Sequence, residues 1–339
     1  MTRGISPFKD LASLFRLITL LHNLRPDMLH SFTPKAGLLS MLAGFICGIP
    51  VRIHTFTGLI FPTAKGFRQN LLIASDRLLC ACATNIVPEG WGVENDLRAF
   101  RITAKPLRVI GFGNIAGVDV DYFSKDAPGL ANAADNLRRQ LNIGESDFVF
   151  GFIGRLSKDK GIDELFRAFG KMPVNSRLLL AGDLDESCPV NPELIQMLHN
   201  HPRVHFLGFL KDIRPVYMVS DVIVLPSYRE GFPNVILEAG AMERPVVATD
   251  ISGCNEVIES EYNGWLVPAH DAMALEGAMR EACMMPVVRL MALGSAARLR
   301  IVQRFEQKQH WQHMVSFYQA LSRSRAIKYS VPAVRQNSS

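Results

Sequence analysis

The sequence predicts an α/β fold with two doubly wound domains, each a parallel sheet covered by helices on both faces. Three observations lead to it. Short, almost wholly apolar runs such as "DFVFGFIG" and "DVIVLP" alternate with amphipathic stretches, the pattern of parallel strands buried between crossover helices. The alternation comes in two series, one in the first third and one starting near residue 147. At 339 residues, 48% hydrophobic and 20% charged, the chain has the length and apolar content for two ordinary cores.

The first element is "SPFKDLASLFRLITLLHNLRP", which places Leu11, Leu14, Phe15, Ile18 and Leu21 at helical spacing, with Ser6-Pro7 as its start and Arg25-Pro26 as its stop. "DMLHSF" then predicts a short buried strand, "AGLLSMLAGFICG" a buried helix and "PVRIHTF" a second strand. Residues 112 to 145 are weakest in apolar periodicity and predict a linker. Beyond it "DFVFGFIG", "SRLLLAG", "RVHFLG", "DVIVLP" and "PVVATD" predict strands, with helices at "DELFRAFG" and "NPELIQMLHN". The last helical pattern is "FEQKQHWQHMVSFYQALSR". The expected organisation is a first domain with linker over 1–135, a second domain over 145–304, a helix over 305–325 returning to the first domain, and a flexible tail over 326–339.

A net charge of +5 suits anionic ligands or an anionic membrane surface. Nucleic acid is disfavoured, because the basic residues neither cluster nor interleave with aromatics. The cysteines at 47, 80, 82, 188, 254 and 283 lack metal-ligand spacing and are expected as buried, reduced thiols of a cytosolic protein. No signal peptide is expected from the opening residues, and "AGLLSMLAGFICGIPV" is shorter than the roughly 20 apolar residues a membrane span needs.

Two stretches carry chemistry. In "SYREGFPNVILEAGAM", Glu230 and Glu238 flank a loop that leaves a strand and opens a helix near Pro233. Ligands of open parallel sheets bind at such strand ends, and helix N-termini attract phosphate. A carboxylate placed there suits sugar or ribose hydroxyls, which donate charge-assisted hydrogen bonds. A solvated loop charge and a helix-start charge would give the same spacing. In "FGFIGRLSKDKGIDELF", Arg155 and Lys160 stand between Gly154 and Gly161 at a strand-to-helix turn. Two fixed cations there would neutralise a diphosphate leaving group without a metal. The alternative is a solvated loop.

The combination "GRLSKDKG", "SDVIVLPSYREGFPNVILEAGAMERPVVATDISGCNEVI" and "NGWLVP" resembles the donor half of glycosyltransferase family 4, retaining enzymes of the GT-B fold with two Rossmann-like domains. "HSFTPKAGLLSMLAG", "RIHTFTGLIF", "VPEGWGVENDL" and "GFGNIAGVDVDYF" are similar to the bacterial branch that builds surface polysaccharides on undecaprenyl diphosphate. The resemblance implies that Arg155 and Lys160 hold the donor diphosphate, Glu238 accepts from the ribose, and Glu230 faces the donor sugar. Backbone at Gly154, Gly231, Phe232, Asn234 and Val235 would line sugar and phosphate. It also implies a metal-independent transfer with no cofactor, in which a UDP-sugar gives its sugar, an N-acetylhexosamine or related amino sugar, to a lipid-linked saccharide. The enzyme would work in the cytoplasm, peripheral on the inner face of the membrane.

Two departures from the family pattern stand out. The first strand-loop-helix units expected before "ISPFKDL" are missing, so either the start is misassigned or truncated or the N-terminal domain is incomplete; the latter leaves an impaired nucleotide-sugar-binding remnant as the alternative reading, with another GT-B enzyme such as an epimerase as a further one. Glu243 in "AMERPVV" stands where the family has a small residue. On the acceptor side the candidates are Lys35, at a helix start where it would meet a lipid diphosphate, and His54 and Thr57 in "HTFTG". The D-x-D patterns at 119–121 and 183–185 imitate a metal site but lie outside the strand-end context one needs.

Overall fold

The computed structural model describes residues 7–324, so the predicted tail at 326–339 and the helix start at Ser6 lie outside the described residues. Two parallel sheets organise the chain, as the alternation predicts. The first holds β1 (Met28–Ser31), β2 (Val51–Phe56) and β3 (Asn85–Pro88) in that order. The second runs β6 (Val204–Gly208), β5 (Ser176–Ala181), β4 (Phe148–Ile153), β7 (Val222–Leu225), β8 (Val246–Thr249), β9 (Gly264–Val267). Its order reverses between β4 and β7, and the crevice beyond the carboxyl ends of such a switch point is where open α/β sheets bind ligands.

Around the first sheet, α1 (Pro7–Leu24) and α2 (Pro34–Ile46) pack together through Leu14, Leu17, Ile18 and Leu21 against Ala43. From α2, α3 (Gly66–Cys82) and α4 (Trp91–Ala99), Met41, Leu79, Val93 and Leu97 close one face over Phe56 and Ile86. No strand pairs with the outer edge of β1 among the described residues.

In the second domain, α6 (Ile162–Phe169) and α11 (Ala272–Met284) bury Leu165, Phe169, Leu275 and Met279 on one face of the sheet. The other face is closed by α5 (Leu130–Gln140), α8 (Arg214–Val219), α9 (Asn234–Ala241) and α10 (Cys254–Val257). Between them α7 (Pro192–Asn200) flanks β6, and α12 (Val287–Arg304) leads out of the domain. The stretch read as a linker therefore contains a helix, and Leu130, Ala134 and Ile143 belong to the second core. Its periodicity is faint because Leu130 and Ala134 are the buried positions on α5.

The chain crosses between the domains twice. Residues 113–118 lead out, and 305–307 lead back into α13 (Gln307–Ser324), whose Phe317 packs on Val51, Ile53, Val87 and Ile110 of the first sheet. The crossings lie side by side: the Val118 amide donates to the Phe305 carbonyl at 2.8 Å, and the Gln307 amide donates to Val118 at 3.0 Å. Of the six cysteines, Cys80, Cys82 and Cys254 are buried as expected, while Cys47, Cys188 and Cys283 keep some exposure. No single helix among the described residues is long and apolar enough to cross a membrane.

Candidate functional site

The two motif loops flank the switch point. "GRLSKDKG" leaves β4 and "SYREGFPN" leaves β7, so neighbouring strands deliver both. Glycine makes the first loop possible. Gly154 has φ +149°, and Gly161, at the entry to α6, has φ +68°. A Cβ on Gly161 would lie 2.1 Å from the Pro226 carbonyl oxygen, so only glycine lets this turn press against the end of β7.

That close approach brings Lys160 to Glu230, Nζ to Oε1 at 2.5 Å, with both side chains largely buried. Arg155 is half-exposed and turned to Asp185. Asp159 is held below its ordinary pKa by the Ser157 hydroxyl and by Arg229, Lys160 and Arg155, against an opposing effect of burial. Glu238 projects from α9, and the fully buried Tyr217 donates its phenol to Glu238 Oε2 at 2.7 Å. Burial raises the Glu238 pKa, while the Tyr217 hydrogen bond opposes the rise. Asn234 and Val235 begin α9 after Pro233, one residue later than a proline at the first helical position, and Phe232 packs on Phe305. Of the predicted donor-side residues, the structure joins Lys160 to Glu230, while Arg155 turns to Asp185 and Glu238 to Tyr217.

The predicted acceptor-side residues do not gather as closely. Lys35 pairs with Asp10 at 2.6 Å and ties the start of α2 to α1. His54 is buried inside the first domain, its Nδ1 2.8 Å from the Ser31 hydroxyl and its ring edge-on to Phe56. Burial lowers the His54 pKa to about 4, with His30 adding to the effect. Thr57 donates to the Phe32 carbonyl at 3.0 Å and precedes Gly58, which touches the other domain. The D-x-D pattern at 183–185 does follow a strand end, that of β5, contrary to the sequence expectation, but Asp185 is taken up by Arg155 and Ser187; in the other pattern Asp119 caps its own turn and Asp121 meets Lys308. No group of three or more His, Cys, Asp or Glu side chains placed to hold a metal ion occurs among the described residues.

The sequence reading missed the residues that join the domains. Glu256, on α10, accepts from the amides of Trp91 at 2.7 Å and Gly92 at 3.0 Å, capping α4 from across the cleft. Glycines make the room: a Cβ on Gly90 would fall 2.6 Å from Glu256 Oε1, and one on Gly92 2.1 Å from the Ser252 hydroxyl. Asn114 donates to the Asn234 side chain at 3.0 Å, while its own oxygen accepts from the amides of Ala116 and Gly117. The "PEGWG" run was the available signal, two glycines around an aromatic at a helix start, but its partner lies far along the chain. Glu256→Ala removes two charge-assisted bonds, about 1.5–3 kcal/mol in favour of the closed arrangement. Small-angle scattering of the variant should show a larger radius of gyration with an unchanged circular dichroism spectrum.

Comparison with known proteins identifies the family and the fold. The family described as "Glycosyl transferases group 1" matches residues 147–284, and the "Glycosyl transferase 4-like domain" matches residues 1–113. The chain is 31% identical over 323 residues to the capsular polysaccharide biosynthesis glycosyltransferase CapM of Staphylococcus aureus, covering 94% of this chain and 83% of the relative. It is 28% identical over 278 residues to an Escherichia coli enzyme, UDP-Gal:alpha-D-GlcNAc-diphosphoundecaprenol alpha-1,3-galactosyltransferase, covering 80% of this chain and 70% of that one. The crystal structure of HepE from Anabaena in complex with UDP and glucose superposes with a TM-score of 0.80 at 22% identity, over 94% of this chain and 84% of that one. With the crevice at the switch point, the E-x7-E loop and these matches along both halves, the chain belongs to the family 4-like, group 1 glycosyltransferases of GT-B fold.

Proposed function

We propose that the chain is a retaining glycosyltransferase that moves a sugar, an N-acetylhexosamine or related amino sugar, from a UDP-linked donor to a lipid-linked saccharide at a membrane surface, with no metal ion. The observation that carries this reading is the Lys160–Glu230 pair at the carboxyl ends of β4 and β7, four residues before α9 begins, with Glu238 on that helix. Lys160 and Arg155 would neutralise the charge that builds on the departing diphosphate, and the α9 amides add the positive end of a helix dipole. Glu238 would accept from the ribose. The acceptor hydroxyl attacks the sugar on the face the diphosphate leaves, and the departing phosphate oxygen takes its proton, so no side-chain nucleophile is required.

UDP is favoured because the E. coli relative uses UDP-Gal and HepE is seen with UDP. A lipid-linked acceptor is favoured by the diphosphoundecaprenol substrates named for the E. coli and Campylobacter jejuni relatives. Peripheral membrane contact is supported by α1, which turns Phe8, Leu11 and Phe15 outward beside Lys9 and Arg16.

Calorimetry with UDP, GDP and UDP-N-acetylhexosamines, in EDTA, tests the donor site. Wild type is expected to bind UDP, and Glu238→Ala to bind it at least tenfold more weakly, a loss of about 1.4 kcal/mol. A folded wild type that binds no nucleotide would leave the remnant reading in its place.

A further inference from the structure

Glu89 takes no part in the scheme above, yet it sits where the two domains meet. It follows β3 directly and is only 4% exposed. Its Oε1 is buried without a hydrogen-bond partner among the described residues, although groups of this kind are rarely left unsatisfied.

Glycines from both domains frame the carboxyl. A Cβ on Gly231 would stand 1.8 Å from Oε1, and one on Gly58 would stand 3.8 Å away. Gly231 is the residue after Glu230, so the unpartnered oxygen faces the loop assigned to the donor sugar. The first domain holds Glu89 firmly, since its amide donates to the Phe56 carbonyl and its own carbonyl accepts from the Asn114 amide at 2.6 Å.

The charged groups around it are accounted for. Glu230 is paired with Lys160, and Glu256 is held by the Trp91 and Gly92 amides. Burial, with the negative charge of Glu256 and then Glu230 added, pushes the Glu89 pKa up to about 8. A carboxyl shifted in that direction is protonated more readily than an ordinary glutamate, and in that form one oxygen donates and one accepts. A sugar hydroxyl, itself donor and acceptor, complements that pair.

We propose that Glu89 is a specificity-determining residue whose carboxyl hydrogen-bonds a hydroxyl of the donor sugar in the closed cleft. The inference rests on the nucleotide-sugar reading of the same crevice. Glu89 reaches the sugar from the first domain, whereas Arg155, Lys160 and Glu238 belong to the second. Substitution at Glu89 should therefore change sugar affinity and leave UDP affinity alone.

The test is calorimetry on the full chain with UDP, UDP-glucose, UDP-galactose, UDP-N-acetylglucosamine and UDP-N-acetylgalactosamine, comparing wild type with Glu89→Ala, Glu89→Met and Glu89→Gln. Methionine fills the same space without hydrogen-bonding oxygens and stands in if the alanine variant does not melt cooperatively. Glutamine keeps a donor and an acceptor. For the sugar that wild type prefers, the ratio of UDP-sugar Kd to UDP Kd is expected to rise at least tenfold in Glu89→Ala and Glu89→Met. In Glu89→Gln it should stay within about threefold of wild type, and the UDP Kd should be unchanged throughout. An unchanged ratio in the alanine and methionine variants overturns the proposal, as does an equal weakening of UDP and UDP-sugar. So does a wild type that binds UDP but none of the four sugars. Failure of folded wild type to bind UDP at all sinks the parent reading, and this one with it.

Discussion

Lys160→Ala is expected to lower the rate of sugar transfer by two to three orders of magnitude, roughly the cost of removing one preorganised charge-stabilising group from a transition state. Three features hold the residue in place. Gly161 sets the turn that carries it, Glu230 anchors its ammonium group at 2.5 Å, and its side chain is largely screened from solvent. A cation so placed contributes far more than a solvated lysine, because the surrounding groups need not reorganise when charge develops on the leaving diphosphate. The variant should show the loss mainly in kcat, measured with a saturating UDP-sugar and an undecaprenyl-diphosphate-linked acceptor. Its thermal melt should fall, since Glu230 loses the cation that offsets its burial, while the circular dichroism spectrum stays that of a folded chain. A rate within threefold of wild type would remove Lys160 from the chemistry.

Gly161→Ala should cost about 3–4 kcal/mol of stability, the sum of a left-handed backbone penalty of about 1–2 kcal/mol and the displacement of neighbouring backbone. A Cβ there meets the Pro226 carbonyl oxygen at 2.1 Å and the Pro226 carbonyl carbon at 2.9 Å, neither of which can turn aside as a flexible side chain would. Relief would move the loop after β4 away from the loop after β7 and separate Lys160 from Glu230. Urea unfolding should therefore show a lower midpoint, accompanied by weaker UDP binding. Gly170→Ala is the control: its Cβ would have no neighbour nearer than 3.5 Å, and its φ is −57°, an ordinary helical value.

How much of this could be read in the sequence depends on how far each residue's partners lie along the chain. Strands β4, β5, β7 and β8 were legible because burial on both faces leaves them almost wholly apolar. The two motif loops were legible as strand-end loops because glycine, proline and charge are packed into a dozen residues there. Helix α3 was not, since it lacks a side-chain cap and points Phe67, Leu71 and Leu78 outward, which blurs the apolar stripe. Strand β3 is four residues long and ends in Pro88, a residue that reads as a turn. Glu89 and Glu256 went unassigned for one shared reason: neither has a local pattern, and each acquires meaning only when the other domain is brought against it. Glu243 was legible as unusual. The structure shows why: its φ is +57°, and its carboxylate meets Lys125 at 2.9 Å.

The paired crossings between the domains have a mechanical consequence. A single connecting segment would act as a ball joint and let one half swing and twist freely against the other. Here Val118 is laced to Phe305 and Gln307, and a Cβ on Gly117 would touch the Gln307 Cα at 2.6 Å, so the connections lie against each other like the two leaves of a door hinge. Such a joint leaves one easy axis of rotation. The anchored end of that hinge is α13, whose Phe317 is set in the core of the first domain. A hinge of this kind would channel cleft opening into a single swing and return Glu256 to the same two amides on closing.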